Sequence, residues 1–128
     1  MKTMKKKNDD QILIRSILGV DKFLILNLNL IKIVGLNESV VLTYILDKLE
    51  HTLNWDKDAI DNGIVVFRRD IENKFGLSDY QQRKVERNLI IKELLNITAT
   101  FDGLNTYNTY RIDLEKLFEQ LTIVEKNK

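Results

Sequence analysis

The chain has 128 residues, 44% of them hydrophobic and 30% charged, a length and balance that fit one globular core and leave little room for a second. Twenty Lys and Arg stand against nineteen Asp and Glu for a net charge of +1, so bulk charge does not drive the chain onto a polyanion and any nucleic-acid site is a local patch. With no cysteine and no proline, disulfides, thiol nucleophiles and finger-type zinc sites are excluded, and turns fall to Asn, Asp and five glycines.

Residues 1–10 read as a basic flexible arm carrying Lys2, Lys5, Lys6 and Lys7, and residues 11–128 as a single domain. The following QILIRSILGV is broken by Arg15 and Ser16, and the apolar region from Phe23 to Leu36 is interrupted by Asn27, Asn29 and Lys32. Neither a signal peptide nor a membrane span is expected, and the expected location is the cytoplasm. Gln11 to Val20 reads as a short helix and Phe23 to Leu26 as a strand. Asn29 caps a brief helix that ends at Gly35, and Asn37 caps the central one, Glu38 to Leu53, with Val41, Leu42, Ile45, Leu46, Leu49 and Leu53 inward.

Trp55 to Asn62 is an acidic connection closed by Asn62-Gly63, and Ile64 to Phe67 is the strongest strand signal in the chain. A short helix from about Arg69 to Phe75 breaks at Gly76-Leu77. Ser78 then opens a second helix to about Lys92, with Gln81 completing a Ser-x-x-Gln capping box. Leu95 to Phe101 reads as a strand and Asp102-Gly103 as a turn; a polar loop runs through Thr109, and Tyr110 to Ile112 is the returning strand. Asp113 caps a last helix, about 113–124, bearing Leu114, Leu117, Phe118 and Leu121.

The expected fold is therefore α+β, mostly α: a winged helix-turn-helix with a two- or three-stranded antiparallel wing sheet and extra terminal helices. The helix-turn-helix falls at about 69–92 and the wing at about 95–112. On a wheel of roughly 100° per residue, Gln81, Val85 and Leu89 face inward, Arg83 and Arg87 face outward, and Tyr80, Lys84 and Ile90 flank them. Ser78 to Asn88 is then the segment that enters a DNA major groove. Arg83, Lys84 and Arg87 carry most of the binding, Gln81, Gln82 and Asn88 offer amides suited to adenine, and Arg68, Arg69 and the lysine arm meet phosphates. The plainer reading is a solvated helix face, in which Asp79 pairs with Arg83 and the charges of Glu86 and Glu93 dilute the cations.

The run Gly76-Leu77-Ser78, then Tyr80-Gln81-Gln82-Arg83-Lys84 and Leu89, resembles the winged-helix domains of phage and plasmid replication proteins from low-GC Gram-positive bacteria. Gly35-Leu36-Asn37-Glu38-Ser39 and Leu42-Thr43-Tyr44-Ile45 are similar to that family's first helix, so the resemblance covers about Phe23 to Leu117. It implies a double-stranded DNA ligand and a role in DNA replication or transcriptional regulation. The sequence departs from the pattern twice. Glu93 stands where the recognition helix usually exits through Gly, and Asn105, Thr106, Tyr107 and Asn108 stand where the wing usually carries Pro followed by Lys or Arg. A wing of this composition meets DNA only through neutral hydrogen bonds, Tyr107 foremost.

No catalytic machinery is expected. His51, the single histidine, has no Ser, Asp or second His at motif spacing, and Asp56, Asp58 and Asp61 lack the spacing of a calcium loop. No phosphate-binding glycine motif is present, and neither a metal nor a cofactor is expected. Ile90 and Ile91, on the outer half of the Ser78 helix, are expected to be covered either by the segment Ile12 to Leu18 or by another chain, a second copy or a replication or host protein; the C-terminal apolar stripe packs into the core by default, with helix-helix dimerisation as the rival. The alternative to DNA binding is accordingly a winged-helix module that binds another protein.

Overall fold

A computed structural model of the chain describes residues 2–18 and 24–126. Among the described residues, seven helices and three strands follow in the order α1 (Lys2–Leu18), α2 (Leu28–Val34), α3 (Leu36–Thr52), α4 (Ala59–Asn62), β1 (Ile64–Val66), α5 (Arg68–Phe75), α6 (Asp79–Ile91), β2 (Leu95–Asp102), β3 (Asn105–Ile112) and α7 (Leu114–Lys126). The class is α+β and mostly helical, with a three-stranded antiparallel sheet in the order β1-β3-β2. Among the described residues no single helix is long and apolar enough to cross a membrane.

The helical part is built around α3, whose Val41, Leu42, Ile45 and Leu49 are buried at the spacing of one helix face. α2 precedes it at a corner of 120° centred on Gly35, which ends α2 and begins α3. Leu30 and Val34 of α2, Val85 and Leu89 of α6 and Leu117 of α7 join the same core. The sheet closes that core with one face. Directly opposed residues on antiparallel strands share a side, so Ile64 and Val66, Tyr110 and Ile112, and Leu95 and Ile97 line up toward the helices. At the start of β1, Gly63 passes so close to β3 that an added Cβ would lie 2.8 Å from the Tyr110 carbonyl oxygen, so any side chain there forces the strands apart.

Several local expectations change. Lys2 to Asp10 lie in the same continuous helix as Gln11 to Leu18, while Met1, Gly19 and Val20 fall outside the described residues. Leu24 to Leu26 form no strand, and Phe23 is outside the described residues. α2 is capped by Asn27 rather than Asn29, because the Asn27 carboxamide oxygen accepts from the N–H groups of both Asn29 and Leu30. α3 starts at Leu36, so Asn37 lies inside it rather than capping it, and the acidic connection contains the short helix α4.

The largest revision is the hairpin. The polar stretch Asn105 to Thr109 is strand rather than loop, and β2 and β3 pair without a bulge from Leu95↔Ile112 to Asp102↔Asn105 around the two-residue turn Gly103-Leu104. Polar Thr and Asn on both faces read as loop by hydropathy, yet the β-branched threonines suit a solvated hairpin. Three of these pairs, from Thr100↔Tyr107 to the turn, extend beyond the last pairing with β1, an overhang of about 10 Å.

Glu93 has a left-handed backbone, φ 61°, and is the only non-glycine residue with positive φ among those described. It occupies the position after the α6 C-cap in a complete Schellman arrangement: the Leu94 N–H donates to the Leu89 carbonyl at 3.0 Å and the Glu93 N–H to the Ile90 carbonyl at 2.9 Å. Leu89 and Leu94, both fully buried, supply the apolar contact that accompanies this motif. Glu93 thus adopts a conformation that favours glycine, under strain partly offset by an exposed ion pair with Lys116. Glu93→Gly is expected to raise the midpoint of thermal unfolding by a few degrees, and Lys116→Ala to leave it nearly unchanged, as read by circular dichroism.

Candidate nucleic-acid interface

The α5 and α6 helices are joined by Gly76-Leu77-Ser78. Gly76 ends α5 in the left-handed region at φ 77°, Leu77 is buried, and Ser78 starts α6. Both halves of the capping box are formed: the Ser78 hydroxyl accepts from the Gln81 N–H at 3.2 Å, and Gln81 Oε1 accepts from the Ser78 N–H at 2.8 Å. The side chains of Ser78 and Gln81 therefore fix the helix start, and the Gln81 carboxamide oxygen is already committed.

The buried face of α6 consists of Gln82, Val85, Glu86 and Leu89, an i, i+3, i+4, i+7 set. Gln81, expected inward, is exposed, and Gln82, expected to reach a base, is 1% exposed. Gln82 Nε2 donates to the carbonyls of Arg68 at 2.9 Å and Leu77 at 2.8 Å, satisfying backbone acceptors at both ends of α5. Gln82 is thus a tie inside the protein and not a DNA contact. Asn88, also offered for base reading, donates to Glu38 Oε1 at 2.9 Å and links α6 to α3.

Glu86 is the residue that composition alone misjudges. Its carboxylate is buried and takes three hydrogen bonds: from Arg68 Nε at 2.9 Å, from Arg68 Nη2 at 2.6 Å and from the Tyr110 hydroxyl at 2.6 Å. The paired geometry of guanidinium and carboxylate is the strong form of this contact. It joins the first residue of α5, the middle of α6 and strand β3. The hydrogen bond to Glu86 holds Arg68 protonated above even its usual range, against the opposing effect of its own burial. Burial, and then the bond to Glu86, push the Tyr110 hydroxyl above the ordinary tyrosine value. Arg68, expected to meet phosphate, is therefore spent on Glu86, with Asp79 a further 3.9 Å away from its other nitrogen.

Removing Glu86 from the surface changes the outward charge. The exposed stripe of α6 is Tyr80, Arg83, Lys84, Arg87 and Ile91, at the i, i+3, i+4, i+7, i+11 positions of one helix face. Three cations lie on it and one carboxylate adjoins it: Asp79 Oδ2 accepts from Arg83 Nε at 2.6 Å. That hydrogen bond, followed by the charges of Arg83 and Arg68, holds the Asp79 carboxyl below the usual carboxylate range. Both partners are more than half exposed, so the pair is weak and exchangeable. Arg69 is exposed on α5, next to Arg68 in a shallow recess with Phe67 and Asp70.

The hairpin tip overhangs the same end of the molecule. β1 ends at Val66, α5 begins two residues later at Arg68, and Arg68 approaches Asp79 at the start of α6, so the overhanging pairs lie toward the N-terminal ends of both helices. Tyr107 is half-buried on the outer face of the hairpin, where it lines a shallow groove with Val65, Phe67, Asn105 and Thr106. The tip presents Phe101 and Leu104 to solvent, Leu104 at 99% exposure. Ile90 and Ile91 are exposed and uncovered by α1, whose own Ile12, Leu13, Ile14 and Ile17 are exposed. In the C-terminal stripe Leu117 is buried and Leu114 and Leu121 pack against the core, whereas Phe118 faces solvent. His51 is exposed at the end of α3 beside Asp47, Glu50 and Asn54.

No protein-family model, curated protein or solved structure matches this chain.

Two outcomes test the buried network. Glu86→Ala is expected to destabilise the fold by about 3 kcal/mol, because it leaves the partly buried Arg68 cation without its partner. Tyr110→Phe removes one hydrogen bond to the ionised carboxylate and is expected to cost about 2 kcal/mol, both read by urea unfolding at neutral pH. Tyr110 also sets an alkaline limit. Since its folded value lies above the ordinary tyrosine value of about 10, its contribution is full below that pH and is lost as pH rises through it toward the folded value. In Tyr110→Phe that alkaline loss of stability is expected to flatten, and ultraviolet tyrosinate absorbance should lose a hydroxyl that in the parent chain titrates above the ordinary tyrosine value.

Proposed function

We propose that the chain is a winged-helix DNA-binding protein in which α5 and α6 form the helix-turn-helix, α6 lies in a major groove and the β2–β3 hairpin is the wing. The observation that carries this reading is the burial of Glu86 with Arg68. It leaves Arg83, Lys84 and Arg87 on one exposed stripe, with Asp79 the one carboxylate paired to it among the described residues. Arg83 and Arg87, one helical turn apart, present guanidinium forks suited to phosphates and guanine edges. Tyr80 is exposed beside them, and Gln81 is exposed near the helix start. Arg69 adds a phosphate contact from α5. The resemblance to phage and plasmid replication domains makes a mobile genetic element the natural setting, with DNA replication or local transcriptional control as the process.

The wing adds no cation near its tip, because Asp102 and Arg111 are the only charged residues from Leu95 to Ile112 and Arg111 lies at the hairpin base. Binding by one copy therefore depends on a short cationic stripe and is weak. A second reading, a winged-helix module that binds a replication or host protein, is favoured by the exposed apolar residues Ile91, Phe101 and Leu104.

Titrating random duplex DNA against the chain at increasing salt separates the two readings. A DNA binder loses affinity linearly in the logarithm of salt concentration, and the slope becomes shallower by roughly 0.9 for each phosphate contact removed, as expected for Arg83→Ala and Arg87→Ala. Asp79→Asn frees Arg83 from its neighbour and is expected to strengthen binding and steepen the slope. Absence of binding at low salt would reject the DNA reading and leave the protein-binding one.

A further inference from the structure

The sheet order β1-β3-β2 leaves two edges of unequal character. β1 is three residues long and is followed almost at once by α5. β2 is eight residues long and, among the described residues, pairs with β3 alone, with no bulge, no proline and no lysine along it, and its residues from Asn96 to Asp102 are exposed or half-exposed. An edge of this kind offers a row of backbone donors and acceptors to another strand, and the bulge, proline or lysine that commonly blocks such pairing is absent from it.

We propose that β2 pairs antiparallel with β2 of a second copy across a two-fold axis through Ala99, joining the two sheets into one of six strands. The strand's own side-chain pattern selects this register. With the axis at Ala99, Ile97 of one copy lies opposite Phe101 of the other, Thr98 opposite Thr100, and Asn96 opposite Asp102. Every pair then matches apolar with apolar or polar with polar on a common face. Phe101, 74% exposed in the single chain, gains a β-branched neighbour directly across the new pair.

Charge supports the same register. Within one hairpin Arg111 lies directly opposite Asn96. Across the axis, Asp102 of the second copy lies opposite that same Asn96, so Arg111, Asn96 and Asp102 form one row on one face, the outer two about 10 Å apart at the backbone and within reach of an arginine side chain. The only two charged residues of each hairpin are thereby brought together as opposites, twice by symmetry. Moving the axis to Thr98 sets Phe101 against the already buried Leu95 and carries Asp102 past the end of the strand. Moving it to Thr100 shortens the paired segment and sets Ile97 against Gly103. The pairing involves none of the α6 residues assigned to DNA and stands independently of that assignment.

Because the chain has no cysteine, a single introduced thiol reports the register directly. Ala99→Cys is expected to give a disulfide-linked dimer under mild oxidation much faster than Thr106→Cys, an exposed control on β3. In sedimentation equilibrium the parent chain is expected to show a concentration-dependent dimer. Ala99→Lys opposes two ammonium groups across the axis and should weaken it roughly tenfold or more. Asp102→Arg and Arg111→Asp should each weaken the dimer, and the double exchange should restore it. A parent chain that stays monomeric throughout overturns the proposal, including the case in which a different protein supplies the strand. Equal cross-linking at positions 99 and 106, or a dimer indifferent to Ala99→Lys, overturns it in favour of contact through α1 or α7. Should the lysine variant fail to fold, the two cysteine variants decide alone.

Discussion

The structure depends on one buried ion pair with a tyrosine attached. Arg68, Glu86 and Tyr110 come from the beginning of α5, the middle of α6 and strand β3, and their three hydrogen bonds fix the helix pair against the sheet. Taking a guanidinium and a carboxylate out of water costs several kcal/mol per ion, and here the cost is met by the paired geometry and by the tyrosine hydroxyl, which satisfies a further lone pair of Glu86. The contribution of such a group is best seen as specificity of arrangement: α6 has one rotation at which Glu86 meets both partners, and that rotation sends Arg83, Lys84 and Arg87 outward together. Gln82 reinforces it one turn earlier by holding the carbonyls of Arg68 and Leu77. The internal polar network and the external cationic stripe are therefore two sides of one constraint.

The same constraint explains how a chain of net charge +1 presents a basic face. Of the acidic residues on α6, Glu86 is neutralised internally, and Asp79 is held by an exposed arginine that can exchange it for another anion. Acidic residues elsewhere, at Asp47, Glu50, Asp58 and Asp61, are exposed around the end of α3 and the short α4. The overall balance is an average over separate patches.

Much of the fold was legible in the residues. The Ser78-x-x-Gln81 box, the turn glycines at 63 and 76 and the apolar period of α3 each express a local rule, and each appears where the rule places it, whereas the hairpin turn falls at Gly103-Leu104, one residue later than Asp102-Gly103. Legibility failed where a polar residue does the work of an apolar one. The spacing of Gln82, Val85, Glu86 and Leu89 is the signature of a buried helix face, but reading Gln and Glu as solvent-facing rotates the helix by one residue and puts Gln81 inside. What a carboxylate does in a core depends on partners 18 and 24 residues away, which no local window contains. The hairpin failed for a related reason, since a strand solvated on both faces over most of its length carries little hydrophobic alternation. Among the site residues, Tyr80, Arg83, Lys84 and Arg87 are brought onto one exposed face, whereas Arg68 and Gln82 are drawn into the protein.

The two ends of α6 have a consequence for the order in which the chain assembles. Its capping box closes the N-terminus using residues within three positions, and its Schellman turn closes the C-terminus using residues within five. Helix nucleation is the costly step, and short-range closures reduce the conformational search before any distant contact forms. The bonds from Glu86 to Arg68 and Tyr110 span much longer loops and close later. α6 is thus expected among the early, locally specified elements of folding, with its rotation fixed only when the sheet docks.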